Sequence, residues 1–418
     1  MRLSAADRAV LASRRGFSSR IGAVDGERVK TLEAAARALP DSDPRRSRVL
    51  ALLASELHWC GEPSRCRQLA AEAIEIAMAA DDPAALAHTL AHAAWAIWVP
   101  DTLRERQRLT DELVDLARSL DDPSLSFLAG FRRCAIGIEG GDRASAESGL
   151  ATMRSLAASV PQPHMGWFRL IFESAWACVQ GDLQAAEQHA IHAFEVGTAA
   201  GNSDALSLFG GQLTAIRSLQ GRLGELAEQV VELAGQPDRV AGWRAAAALA
   251  LIEGRREDEA RELALAEDFQ SIPWDQASSA AMFLWADVCS RLRLADRSGE
   301  LYELLAPFAG QLAAPPGNVL GTFAWVLGTL AAILERYEES ERHFATAAAI
   351  DEHLGAPVFL AHARSGWARA LIARGRPEDL ERAQPMLEQA EKVAGRLGAG
   401  RITREVEVSR AALSATGA

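Results

Sequence analysis

The sequence predicts an all-α fold, a solenoid of about nine helical hairpins with a period of about 40 residues, and three observations carry that expectation. Glycine-led breakers recur at multiples of that interval, as Gly61-Glu62, Gly141-Asp142, Gly181-Asp182 and Gly221-Arg222. A second series lies half a period away, as Asp81-Asp82-Pro83, Asp121-Asp122-Pro123, Pro161-Gln162-Pro163 and Gly201-Asn202-Ser203. Between breakers the chain is mostly Ala, Leu, Arg and Glu, the strongest helix formers, over stretches near the length of one long helix. A breaker at every half period therefore separates helices that pair and stack.

Taken in order, residues 4–39 give two amphipathic segments around a Gly/Ser-containing turn, and Pro40-Asp41-Ser42-Asp43-Pro44 closes them. Residues 1–43 are expected to be an N-terminal helical cap or the remnant of a linker. From residue 44 the hairpins run as 44–60 with 63–80, 83–99 with 102–119, 123–140 with 143–159, 163–180 with 183–200, and 203–220 with 223–235. They continue as 240–253 with 257–268, 276–293 with 298–312, 318–335 with 338–354, and 357–374 with 378–397. The array thus spans 44–400, and 401–418 is a C-terminal capping helix. Connectors fall at Asp268 to Gln276 and at Ala313-Ala314-Pro315-Pro316-Gly317, because Pro cannot continue a helix and Gly relieves a tight turn.

With 418 residues the chain would ordinarily divide into several domains, but a solenoid grows by stacking and escapes that size rule, so it reads as one continuous array. Lys and Arg number 44 against 56 Asp and Glu, a net charge of −12, and no run is basic enough to track phosphates. Direct nucleic-acid binding is excluded on that ground. The five cysteines are scattered, with no C-x-x-C pair, which suits reduced thiols in a cytoplasmic protein. The polar start Met1-Arg2-Leu3-Ser4 reads as a capped helix rather than a signal peptide, and no apolar run reaches membrane-spanning length, so no membrane partner is expected.

Second helices carry a small residue, a bulky one four on, and a small one three further, as Ser340, Phe344 and Ala347 after Tyr337, and Ala383, Leu387 and Ala390. This spacing resembles the tetratricopeptide (TPR) family, with helices longer than that family's usual repeat allows. The stretches 100–106, 219–226 and 300–307 are similar to the long-helix array at the back of actinobacterial ATP-dependent regulators, those related to the maltose-operon activator and to cyclase-linked proteins. The resemblance implies a right-handed α-α superhelix whose first helices line a concave groove. It covers nearly the whole chain from about residue 44. No G-x-x-x-x-G-K-[ST] phosphate loop is present and the chain stops at Ala418, so the resemblance implies a sensing or docking module without its usual ATPase or DNA-reading output.

Nine of the ten tryptophans fall on expected first helices, with Trp274 in a loop. Aromatic side chains dominate buried recognition surfaces, yet they also fill space between helices. Asn318, Thr322, Trp325 and Thr329 share one stripe, opposite an apolar stripe of Leu320, Leu327, Ala331 and Leu334. One period away lie Met282 and Trp285 before it, and His362, Ser365 and Arg369 after it. Met282, Thr322 and His362 would then form one row on the groove and Trp285, Trp325 and Ser365 another.

In the front half His88, His92 and Trp95 share a face. Two histidines one turn apart can ligate a metal, but no third ligand keeps a fixed spacing and H-E-x-x-H is absent, so groove lining is the expected role and no metal or cofactor is expected. Arg169, Glu173 and Trp176 form another stripe. A carboxylate beside Trp in an enclosed groove can act as a general acid, while Arg169 one turn away equally makes it a structural ion pair. The composite expectation is a non-enzymatic, cytoplasmic recognition module binding a protein or peptide in its groove. The alternative is a small-molecule binder or enzyme using an enclosed pocket, with Glu173, Arg169 and the His88/His92 pair as its acid/base groups.

Overall fold

Asp residues at the start of segments and glycines at their ends set most helix boundaries. In a computed structural model, residues 20–416 are described apart from 42, 161 and 237–239. The expected first N-terminal segment therefore lies largely outside the described residues. Helix α1 (Gly26–Ala38) packs on the first hairpin, α2 (Pro44–Glu56) with α3 (Pro63–Ala79). Then come α4 (Pro83–Ala96) with α5 (Leu103–Leu120), α6 (Pro123–Glu139) with α7 (Arg143–Ser159), and α8 (Pro163–Gln180) with α9 (Leu183–Ala199). The middle holds α10 (Ala205–Gln220) with α11 (Ala227–Ala234), and α12 (Gly242–Glu253) with α13 (Glu257–Ala266). The rest is α14 (Ser278–Arg291) with α15 (Ala295–Leu305), α16 (Phe323–Ile333) with α17 (Tyr337–Leu354), α18 (Pro357–Arg374) with α19 (Pro377–Leu397), and a last helix α20 (Gly400–Thr416).

Asp82, Asp122, Asp142 and Asp182 each accept backbone N–H groups of the helix that follows, and Pro occupies the first turn of α2, α3, α4, α6, α8, α18 and α19. Both devices suit a helix start, where the N–H groups have no intrahelical partner. The breakers noted in the sequence are thus the caps. The TPR-like triplet also acts as its chemistry requires. Phe344 is fully buried between α16 and α18, where a Cβ at Gly328 or Gly366 would fall 3.0 or 2.7 Å from its ring, and Ser340 Oγ donates to the Gly328 carbonyl at 2.7 Å.

One boundary differs from expectation. Residues 318–322 are not helical; Gly321 and Thr322 pair antiparallel with Leu312 and Ala313. Pro315 and Pro316 break the preceding segment, and Gly317 and Gly321 take positive φ of 79° and 141°, so the chain folds back as a short hairpin before α16 begins at Phe323.

The array closes on itself. α8 packs on α18, α10 on α20, and the 312–313 strand on α6. Trp274 Nε1 donates to Asp101 Oδ1 across 173 residues, and Arg401 reaches Ser218 across 183. These spans correspond to between four and five hairpins per superhelical turn. The seam between turns runs along the repeating glycines: a Cβ at Gly181 would lie 2.7 Å from Leu397 Cδ1, and one at Gly221 2.7 Å from the Arg401 nitrogen. Both glycines also have the left-handed backbone that closes a helix.

Candidate functional site

Turn-on-turn packing decides where the expected groove residues go. Because the first helices are covered on their inner side as well as between neighbours, almost every residue of α14 and α16 is buried. Asn318 and Thr322 precede α16 instead of lying on its face: Asn318 Nδ2 donates to the Gly211 carbonyl at 3.0 Å, and Thr322 Oγ1 accepts the Trp325 N–H at 3.3 Å.

Trp325 and His362 are brought together, ring on ring at 4.0 Å, with Phe283 stacked on the indole at 5.8 Å. Trp285 is elsewhere, 5.9 Å from Phe269. Met282 is buried in the same apolar cluster as Trp325, and Arg369 is half-buried. So Trp325 and His362 meet, whereas Trp285 does not join them.

Around that pair stands a cluster of charged groups that sequence reasoning missed. Arg401 of α20 lies over Trp325 at 5.3 Å, pairs with Asp287 of α14 at 2.8 Å, and with Glu405 at 2.9 Å. Its Nη1 donates to Ser218 Oγ of α10 at 3.3 Å. Glu405 Oε2 is 3.2 Å from His362 Nε2, an ion-pair distance. Arg291 adds contacts to Asp287 at 3.1 Å, Glu405 at 3.8 Å and Glu253 at 3.9 Å. Five elements, α10, α12, α14, α18 and α20, converge here.

Burial works against the charge of Asp287, but Arg291 and Arg401 hold its carboxyl below the usual range. Burial likewise opposes ionisation of Glu405, and His362 and Arg401 beside it outweigh that, keeping it well below its ordinary value. Burial pushes His362 down, against the pull of Glu405. The space enclosed is small, a cavity of about 20 Å³ lined among others by Ser218, Phe283, Asp287, Leu320, His362 and Arg401. That holds a water molecule or so, not a metabolite. The missed signal was Arg401-x-x-x-Glu405, an i,i+4 pair that reads as an ordinary solvated face.

The front-half residues form a different arrangement. His88 and His92 are half-buried, and burial with Arg132 nearby pushes His92 down to about 3. Burial also lowers His88. Trp95 lies beneath the Arg132 guanidinium at 4.7 Å and meets Trp98 edge-on at 5.7 Å. Among the described residues no three His, Cys, Asp or Glu side chains are grouped to hold a metal ion. Glu173 is gripped by Arg169 and by Arg154 Nε at 3.0 Å, with His189 Nδ1 at 3.6 Å. Trp176 is buried alongside. A carboxylate held by two guanidiniums has its lone pairs engaged, which suits an ion pair better than proton transfer.

No protein-family model matches the chain, and no curated protein matches it. Among solved structures it is similar to a monomeric mutant of IFIT1 with the capped RNA m7Gppp-AAAA, at 14% identity and a TM-score of 0.29 over 88% of this chain and 74% of that one. At that score the likeness carries no argument about ligands. No helix among the described residues is long and apolar enough to cross a membrane.

Proposed function

We propose that the chain is a non-enzymatic, TPR-like recognition module that takes a protein or peptide segment against the inner wall formed by α10, α14, α16 and α18. The observation that supports this reading is α20 itself. An amphipathic helix lies on that wall, its Arg401 over Trp325 and paired to Asp287, its Ile402 and Val406 fully buried. A wall built to hold one amphipathic helix has the aromatic anchor and charge pairing of helix-in-groove recognition. The cavity of about 20 Å³ beside Trp325 and His362 favours a segment of chain over a metabolite at this place. A regulatory role in the cytoplasm, without direct contact to nucleic acid or membrane, rests on the sequence's likeness to regulator arrays.

The test places a photo-reactive side chain at Leu320, which lines the seam, in the full chain within its own host. The expected product is a crosslinked polypeptide of defined mass that disappears when Trp325 and His362 are both changed to Ala in a chain of unchanged helicity. A crosslinked species of metabolite mass, or a polypeptide crosslink indifferent to both changes, would overturn the reading.

A further inference from the structure

We propose that α20 is an internal occupant of this recognition surface, and that an external partner binds by supplying an amphipathic helix of the same chemistry in its place. The matching helix presents Arg, an apolar residue next to it, an acid one turn on, and an apolar residue next to that, as Arg401, Ile402, Glu405 and Val406 do. The inference rests on the inner-wall reading and adds the class of partner and the way it gains entry.

Connectivity makes exchange feasible. α20 follows the last complete hairpin, is joined through Gly398 with φ of 68° and Ala399, and no element comes after it among the described residues. Its first turn is seated closely, since a Cβ at Gly400 would fall 2.6 Å from the Gln220 carbonyl oxygen, and Arg404 donates to the Gly221 carbonyl at 2.8 Å. Its far side is open, with Glu407, Val408 and Ala411 exposed.

The wall is also prepared for the helix to leave. Removing one partner of a buried ion pair normally strands a charge at a cost of several kcal/mol. Here Asp287 retains Arg291, one turn along the same helix, and Arg291 retains Glu253.

The test uses the intact chain and a fluorescent synthetic peptide of residues 399–416. The peptide is titrated against wild type and Arg401→Glu, with amide hydrogen exchange read on α20 in both. Arg401→Glu sets a carboxylate against Asp287 and Glu405, so α20 should lose protection and the peptide should bind the variant at least about tenfold more tightly than wild type. A peptide carrying the same Arg401→Glu change should not bind. Should the variant fail to fold by far-UV circular dichroism, Arg401→Gln removes the fastening without repulsion and is read by the same two measurements. If α20 loses protection and the peptide binds no more tightly, or binds equally with its Arg replaced, the inference fails. An α20 that stays protected in the folded variants overturns it as well. None of these failures touches the inner-wall reading, which the Leu320 crosslink decides separately.

Discussion

Asp275 stands just ahead of α14, buried, with Oδ1 accepting the Ala277 N–H at 2.8 Å. Burial pushes its carboxyl up from 3.8 to about 6. A folded-state value above the unfolded one means that its contribution to stability is fully present below about pH 3.8 and is lost as pH rises through about 6. Asp275→Asn keeps the acceptor oxygen and removes the charge. It should therefore be more stable than wild type at pH 7.5, by about 2–3 kcal/mol, with the gap closing near pH 4. Urea titrations at the two pH values measure this, and a difference independent of pH would remove the burial argument. The cysteines follow the same physics. Burial pushes the Cys134 and Cys178 thiols up to about 12, so they stay protonated at neutral pH.

Helix α6 and helix α7 approach more closely than any side chain would allow. A Cβ added at Gly149 would lie 2.4 Å from the Cys134 nitrogen and 2.5 Å from the Gly130 carbonyl oxygen, both of them backbone atoms that cannot turn aside. Gly149→Ala must push the two helices apart, and the expected loss is about 1–3 kcal/mol or more, in the range of overpacked cores. A melting temperature unchanged from wild type would show that the helices are not so close. This approach was legible in outline, because small residues at regular spacing on second helices imply close pairing. The start of α16 was not: the apolar run from Val319 reads as helix by composition, and only Gly321, extended into a strand pairing with Ala313, puts Thr322 at the cap.

An open solenoid unfolds as a chain of neighbours, repeat by repeat. This one has contacts between hairpins far apart in sequence, through Trp274 to Asp101, Gln212 to the Gly317 carbonyl, and Arg401 to Asp287. Those contacts couple distant hairpins, so urea unfolding should give coincident transitions by far-UV circular dichroism and by tryptophan fluorescence, whose reporters sit in both halves. Separated transitions would mean that turn-to-turn closure contributes no coupling. The same closure explains why the candidate stripes are buried: a face that helical phase leaves free within one turn is covered by the next.

The sequence by itself determined the elements and their period. Caps, breakers and the small-bulky-small triplet act within a few residues or between adjacent helices, where spacing maps directly onto geometry. The contact of Trp325 with His362 was not among its readings, which put the two in separate rows. What only the tertiary structure decided is how far the superhelix winds per hairpin. That small rotation, accumulated over several hairpins, brings Gly181 against Leu397, α20 into the inner wall, and Arg401 to Asp287. No local pattern encodes such a sum, because each hairpin's contribution is set by side-chain packing against its neighbour and becomes visible only when a turn is complete.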